Sequence, residues 1–313
     1  MTNLSQAIIG VDISKNNLDV FIHPFELSFK IDNSEKAIIK FIKQLSTYQV
    51  VRIACEATGG YEKPMMNLLK EHGYDCWIVD PRRIKGFIVA SGCKSKTDKI
   101  DAQKIAEFAV KNSPNYTAKN KSDSEEILQA LVNRKADLTQ YLAAEKTRFK
   151  HPSHALSISS IKKFMIILEK EIKKIDIQIS KHIGTDSGLD KKVKLLESIP
   201  GIGKATAALL VSFVPELGQL TNNQVSALIG VCPYNRESGT YSGKRYIRGG
   251  RMIPRNALYM CALTTIKYHL PLREFYDRLI ERKKPFKVAI VAVMRKLIII
   301  ANIILKKAEP CRT

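Results

Sequence analysis

Acidic side chains are the scarce class in this chain. Thirty Asp and Glu residues stand against 51 Lys and Arg in 313 residues, a net charge of +21. A chain this basic meets a polyanion, either nucleic acid or an anionic membrane surface. Cysteine is sparse and scattered. Cys55, Cys76, Cys93, Cys232, Cys261 and Cys311 include no CxxC pair, which argues against structural zinc and a disulfide framework and fits reduced thiols in the cytoplasm. Long apolar runs are also lacking. The most apolar stretch, 288–305, is interrupted by Arg295, Lys296 and Asn302 and never runs beyond seven apolar residues. It is expected to be a buried helix, with no membrane partner. Residues 1–10 have no basic n-region and no long apolar core, so no signal peptide is expected. What is present is an ordinary globular composition, 45% hydrophobic and 26% charged, which excludes a disordered or collagen-like chain.

The charge is unevenly spread. Residues 1–110 hold 15 basic and 13 acidic side chains, 111–190 hold 14 and 10, and 191–313 hold 22 and 7. The last third is a basic module, and the two ends are expected to do different work. Apolar runs at 7–13, 18–23 and 27–31 read as an antiparallel meander. A helical pattern after Ser34, a strand at 50–55, a helix at 61–71, a strand at 76–79 and a helix at 98–110 then predict an α/β sheet covered by helices. Residues 112–123 read as a linker. Leu128, Leu131, Lys135, Leu138 and Leu142 recur at spacings of 3 and 4, as do Ile161, Met165, Leu168, Ile172, Ile175 and Ile179. These are heptad seams, broken by His151-Pro152-Ser153. A hairpin of this kind buries little alone, so pairing with another subunit is expected. Residues 184–192 read as a second linker.

Two constellations carry chemistry. Asp12 and Glu56 end two strands, while Asp98 and Asp101 lie one turn apart on a helix. Gathered carboxylates repel, and a pair of Mg²⁺ or Mn²⁺ ions relieves that and suits phosphoryl transfer. Asp19, Glu62 and Glu107 are possible substitutes. In the basic module, Pro200-Gly201-Ile202-Gly203 between helical stretches resembles a helix–hairpin–helix turn, whose helix start favours a phosphate. Residues 230–251 (GVCPYNRESGTYSGKRYIRGGR) are rich in Gly, Ser and Arg and read as a phosphate-contacting loop. A serine there is either a nucleophile or part of a plain binding loop.

The ordered set of Asp12, Glu56, Asp98 and Asp101, a helical connector, the PGIG turn and the ESG…GKR…GGR segment resembles the DEDD-type insertion-sequence transposases, which include the Piv-type DNA invertases. The similarity covers about residues 6–305. It implies a RuvC-like (ribonuclease H-like) α/β domain at 1–111, a coiled-coil connector at 124–184 and a mostly α C-terminal domain at 191–310. It implies that Asp12, Glu56, Asp98 and Asp101 bind metal, and that Ser238 is the nucleophile, with Ser242 its rival. Lys204, Lys244, Arg245, Arg248, Arg251 and Arg255 are the expected nucleic-acid contacts. DNA, a structured guide RNA and further copies of the chain, as a dimer or tetramer, are the implied partners. The competing reading is a RuvC-like nuclease that uses water.

Overall fold

The computed structural model describes residues 6–92, 98–112, 122–151, 154–235, 237–238, 241–243 and 245–311, with the backbone alone at 98–99, 155, 237–238 and 241–242. The chain divides into two compact units, residues 1–118 and 119–313.

The first unit is built on a mixed sheet. β1 (Gln6–Ile13), β2 (Asn17–His23) and β3 (Leu27–Asp32) form the expected antiparallel meander; β4 (Gln49–Glu56) pairs parallel with β1, and β5 (Cys76–Val79) parallel with β4. The order is β3-β2-β1-β4-β5. Side chains alternate between the faces of a strand. Ala7, Ile9, Val11 and Ile13 therefore point to one side, where α1 (Glu35–Leu45) and α2 (Lys63–Glu71) close a core through Ile38, Phe41, Met65 and Leu69. The other face is covered by α3 (Pro81–Ala90) and α4 (Asp98–Lys111), with Ala54, Trp77, Ile84, Ile105 and Phe108 in one cluster and Phe21, Ala102 and Ala106 in another.

α4 lies directly against the backbone of β1. A Cβ built on Gly10 would stand 2.2 Å from the Ala102 carbonyl oxygen and 2.4 Å from the Ala106 amide nitrogen. Three small residues, Gly10, Ala102 and Ala106, thus set the approach. α3 has no counterpart among the elements expected from apolar periodicity, although its start signals are present: Pro81 occupies the first turn and Asp80 accepts from the Arg82 amide at 2.8 Å. Its apolar face is short, with Ile84 alone buried and Gly86 within the helix, so periodicity does not reveal it.

The second unit is helical. α5 (Asp123–Lys150) begins in a capping box formed by Ser122 and Glu125 and packs on α6 (Ala155–Thr185). The seams read from sequence meet here. Leu128, Leu138, Leu168 and Ile179 are buried, and Lys135 reaches across to Asp176 at 2.5 Å. Pro152 and Ser153 and most of the expected linker at 112–123 lie outside the described residues. Residues 184–192 are not a linker. α6 ends at Thr185 and α7 (Ser187–Glu197) begins after Asp186, whose carboxylate accepts from the Gly188 and Leu189 amides at 2.8 and 3.0 Å. The Gly and Asp residues that suggest a loop instead serve one sharp, capped corner.

α8 (Lys204–Phe213), α9 (Asn222–Ile229), α10 (Met252–Tyr268), α11 (Leu270–Glu281) and α12 (Phe286–Lys307) complete the unit. α12 has the length and hydropathy of a membrane-crossing segment, but half of its most apolar window is buried. It packs on α7, α9, α10 and α11. Buried Asn302 accepts from the Gly218 amide and donates to the Leu220 carbonyl, both at 2.8 Å. It is the core helix expected from the sequence.

Gly10→Ala is expected to destabilise the first unit by about 1–3 kcal/mol, the usual cost of overpacking. The lowered thermal midpoint by circular dichroism checks this.

Candidate active site and nucleic-acid interface

The carboxylates of the first unit are placed by strand register. Gly10 pairs with Ala54 and Val11 with Cys55 across the parallel β1–β4 ladder. The next residues along the two strands are Asp12 and Glu56. Both are half-buried, and both follow the alternation of Gly10 and Ala54 onto the face that α4 covers. Asp101 immediately precedes Ala102, the residue that meets Gly10, and is also half-buried. Asp98 stands three residues earlier, at the first position of α4; its side chain lies outside the described residues. The fold thus brings Asp12 and Glu56 to one end of one sheet face and lays the start of α4 over that face. Among the described residues no three His, Cys, Asp or Glu side chains are gathered as a metal-holding group.

The donor chemistry fits a hard divalent cation, since every member of the set is a carboxylate.

The possible substitutes are engaged elsewhere. Asp19, the β2 partner of Asp12, forms an ion pair with Lys30 at 3.2 Å, and Glu107 pairs with Lys104 at 2.7 Å. Glu62 is buried and closes the turn before α2, accepting from the Thr58 hydroxyl at 2.6 Å, the Gly60 amide at 2.8 Å and the Thr58 amide at 3.2 Å. Burial pushes its carboxyl up, but the Thr58 hydroxyl and the backbone amides outweigh this and hold it below the usual range. The Cys55 and Cys76 thiols are poor nucleophiles. Burial raises Cys55 well above the ordinary value and pushes Cys76 up to about 12.

In the second unit the Gly- and Arg-rich segment is a ribbon on a narrow neck. β6 (Pro233–Tyr234) pairs with β9 (Tyr246–Ile247), and further out β7 (Glu237–Ser238) pairs with β8 (Tyr241–Ser242). Ser238 pairs with Tyr241 and Ser242 with Glu237. The two serines therefore occupy neighbouring rungs of the ladder. The sequence reading treats this stretch as a loop; two-residue strands are too short to show a period.

Glycine closes the neck. Gly230, in a left-handed conformation at φ +76°, ends α9. A Cβ on it would stand 2.2 Å from the Gly249 oxygen, and one on Gly250 would stand 2.3 Å from the Gly230 nitrogen. The Arg251 amide donates to the Leu228 carbonyl at 2.9 Å. Below the neck, both terminal nitrogens of Arg251 donate to the Glu216 carboxylate at 2.7 Å, and Nη1 also donates to the Phe213 carbonyl at 2.7 Å. Arg255 Nη1 donates to the Gly249 carbonyl.

The expected nucleic-acid contacts therefore have different surroundings. Arg251 and Arg255 are engaged inside the unit, where they brace the two ends of the ribbon. Arg245, Arg248 and Lys204 are exposed. Arg248 lies over the Tyr234 ring, 5.0 Å from its centroid. Lys204 opens α8 after the PGIG turn, whose Pro200 carbonyl accepts from Thr265 Oγ1 at 3.0 Å. Lys244 lies outside the described residues. Sequence reasoning misses Glu216, because one acid in a basic module carries no periodic or motif signal.

Two family profiles match the chain: one described as "Transposase", of the DEDD type, over residues 9–152, and one described as "Transposase IS116/IS110/IS902 family" over residues 193–277. Together they cover more than half of it, including both constellations. The chain belongs to the IS110-type transposase family. The family recombines DNA, which makes the chain a DNA recombination enzyme of an insertion sequence. Two pilin gene-inverting proteins, from Moraxella lacunata and Moraxella bovis, are each 28% identical over 98% of this chain and 98% of their own length.

Two outcomes test this geometry. Glu216→Gln is expected to cost about 3 kcal/mol, because it leaves the Arg251 charge without its carboxylate; chemical denaturation measures it. The lowered pKa of Glu62 contributes stability that is present above pH ~4 and is lost as pH falls through the lowered value. The difference in thermal midpoint between the parent chain and Glu62→Gln is thus expected to be largest at neutral pH and to shrink on acidification.

Proposed function

We propose that the chain cleaves and rejoins DNA strands through a covalent phosphoserine, with Ser238 as the nucleophile and Asp12, Glu56, Asp98 and Asp101 as holders of two Mg²⁺ or Mn²⁺ ions. The observation that carries this reading is the register that places Asp12 and Glu56 at one end of β1 and β4, on the face that α4 covers. The sheet order, with an antiparallel meander beside parallel strands, supports a RuvC-like domain at 1–111. The connector at 124–184 pairs subunits, and the domain at 191–310 supplies the serine. Exposed Ile166, Ile167 and Ile177 on α6 support assembly as a dimer or tetramer.

In this reading the Ser238 hydroxyl attacks a backbone phosphorus and gives up its proton. The bond from phosphorus to the departing strand's oxygen breaks, and that oxygen leaves as a hydroxyl. A new strand end reverses the step, so the phosphodiester is conserved without an external energy source. When bound, the divalent ions supply positive charge at the reacting phosphate oxygens. The four carboxylates hold that charge in place, while Lys204, Lys244, Arg245 and Arg248 grip the flanking backbone. Arg251 and Arg255 act at one remove, by holding the ribbon that presents Ser238. A structured guide RNA selects the sites by base pairing, leaving the protein to read backbone and shape. The excess of 22 basic over 7 acidic residues in 191–313 suits two polyanions. The reaction takes place in the cytoplasm, on DNA of the element and its target.

Trapping the protein on a labelled element-junction DNA tests the assignment. Ser238→Ala is expected to lose the covalent adduct by about a thousandfold or more, whereas Ser242→Ala keeps it. The reverse result assigns the nucleophile to Ser242. Strand cleavage that persists in Ser238→Ala without an adduct makes the protein a water-using nuclease. Asp12→Asn is expected to lower cleavage by a similar factor while leaving the fold intact.

A further inference from the structure

At the base of the serine ribbon two tyrosines are direct cross-strand partners: Tyr234 on β6 and Tyr246 on β9. Directly opposed residues share one face of a ribbon. Both rings face water, at 45% and 60% exposure. Arg248 lies over Tyr234 and fixes that ring in a cation–π contact. The neck at Gly230, Gly249 and Gly250 and the Arg251–Glu216 pair hold the base of the ribbon to the helical unit. Between residues 230 and 251 the only acid is Glu237, against five basic residues. The result is a pair of exposed aromatic rings in a cationic setting, mounted on a braced support.

Aromatic rings on a positively charged surface recognise the flat face of a base. Inside a duplex that face is covered by its neighbours, and only the edges are open to a protein. We infer that Tyr234, Tyr246 and Arg248 form a stacking site for an unpaired nucleotide of DNA or RNA, beside the segment that carries Ser238. This deepens the nucleic-acid reading above and rests on it. Strand exchange opens base pairs, and a guide RNA has unpaired loops, so either strand can supply the base.

The experiment is a fluorescence titration of the full chain with short oligonucleotides carrying 2-aminopurine, as single-stranded DNA, single-stranded RNA and duplex DNA. Binding is expected to quench the single-stranded probes. Tyr234→Leu and Tyr246→Leu are each expected to weaken single-strand binding by about tenfold, with duplex affinity changed less than twofold. Tyr234→Phe and Tyr246→Phe, which keep the ring, are expected to bind as the parent does. The strand type that loses affinity identifies the source of the base. The proposal is overturned if both Leu variants bind single strands within twofold of the parent. It is also overturned if duplex binding falls equally, or if the Phe variants lose as much as Leu. Should a Leu variant unfold at a lower temperature, Tyr234→Trp and Tyr246→Trp decide, with retained or tighter single-strand binding expected and weaker binding overturning the proposal. The titration uses no cleavage, so failure of Ser238 as nucleophile leaves its result unchanged.

Discussion

A helix can rest on the backbone of a strand only where the strand presents no side chain to it. That condition is met at Gly10, where the Ala102 carbonyl and Ala106 amide of α4 occupy the space a methyl group would need. The contact fixes how far along β1 the helix lies and how near it comes. Asp12 is two residues beyond Gly10 on the same face, and Asp101 is one residue before Ala102. The same contact sets where the start of α4 stands relative to that end of β1. A steric fit between small residues thus sets which part of α4 faces the end of β1 that carries Asp12.

The second unit solves the opposite problem. A segment rich in glycine and arginine is costly to order, because its backbone has many states to lose. The chain fixes its two ends. Gly230 and Gly250 interlock, Arg251 reaches back to Glu216 and the Phe213 carbonyl, and Arg255 holds Gly249. A bidentate ion pair with a buried carboxylate needs both partners to offset the desolvation. The positive charge spent on bracing is then unavailable for a phosphate. Lys204, Arg245 and Arg248 are exposed instead, so a count of arginines does not by itself say which of them face solvent.

Much was legible in advance, for physical reasons. The meander and the strand–helix alternation appear in the pattern of apolar residues because each strand buries at least one face. The seams of α5 and α6 appear because two long helices packed together need apolar residues every three or four positions. α12 was readable as a core helix because Arg295, Lys296 and Asn302 interrupt it, and Asn302 does find backbone partners inside the unit. α3 escaped because Ile84 is its only buried residue. Residues 184–192 read as a linker because glycine and aspartate suit a linker as well as a capped corner.

The sequence by itself determined the composition of the two constellations: four carboxylates at strand ends and on a helix face, and a serine among arginines and glycines. It also determined that the basic charge lies in the last third. Those are properties of residue type and order, which hydrophobic periodicity and motif spacing preserve. Tertiary structure alone decided that Asp12 and Glu56 share a sheet face under α4, because that follows from strand register. It decided that Arg251 is spent on Glu216, 35 residues away, because no local pattern links them. It also decided that Tyr234 and Tyr246 stand opposite each other, because cross-strand pairing joins residues that chain order keeps apart.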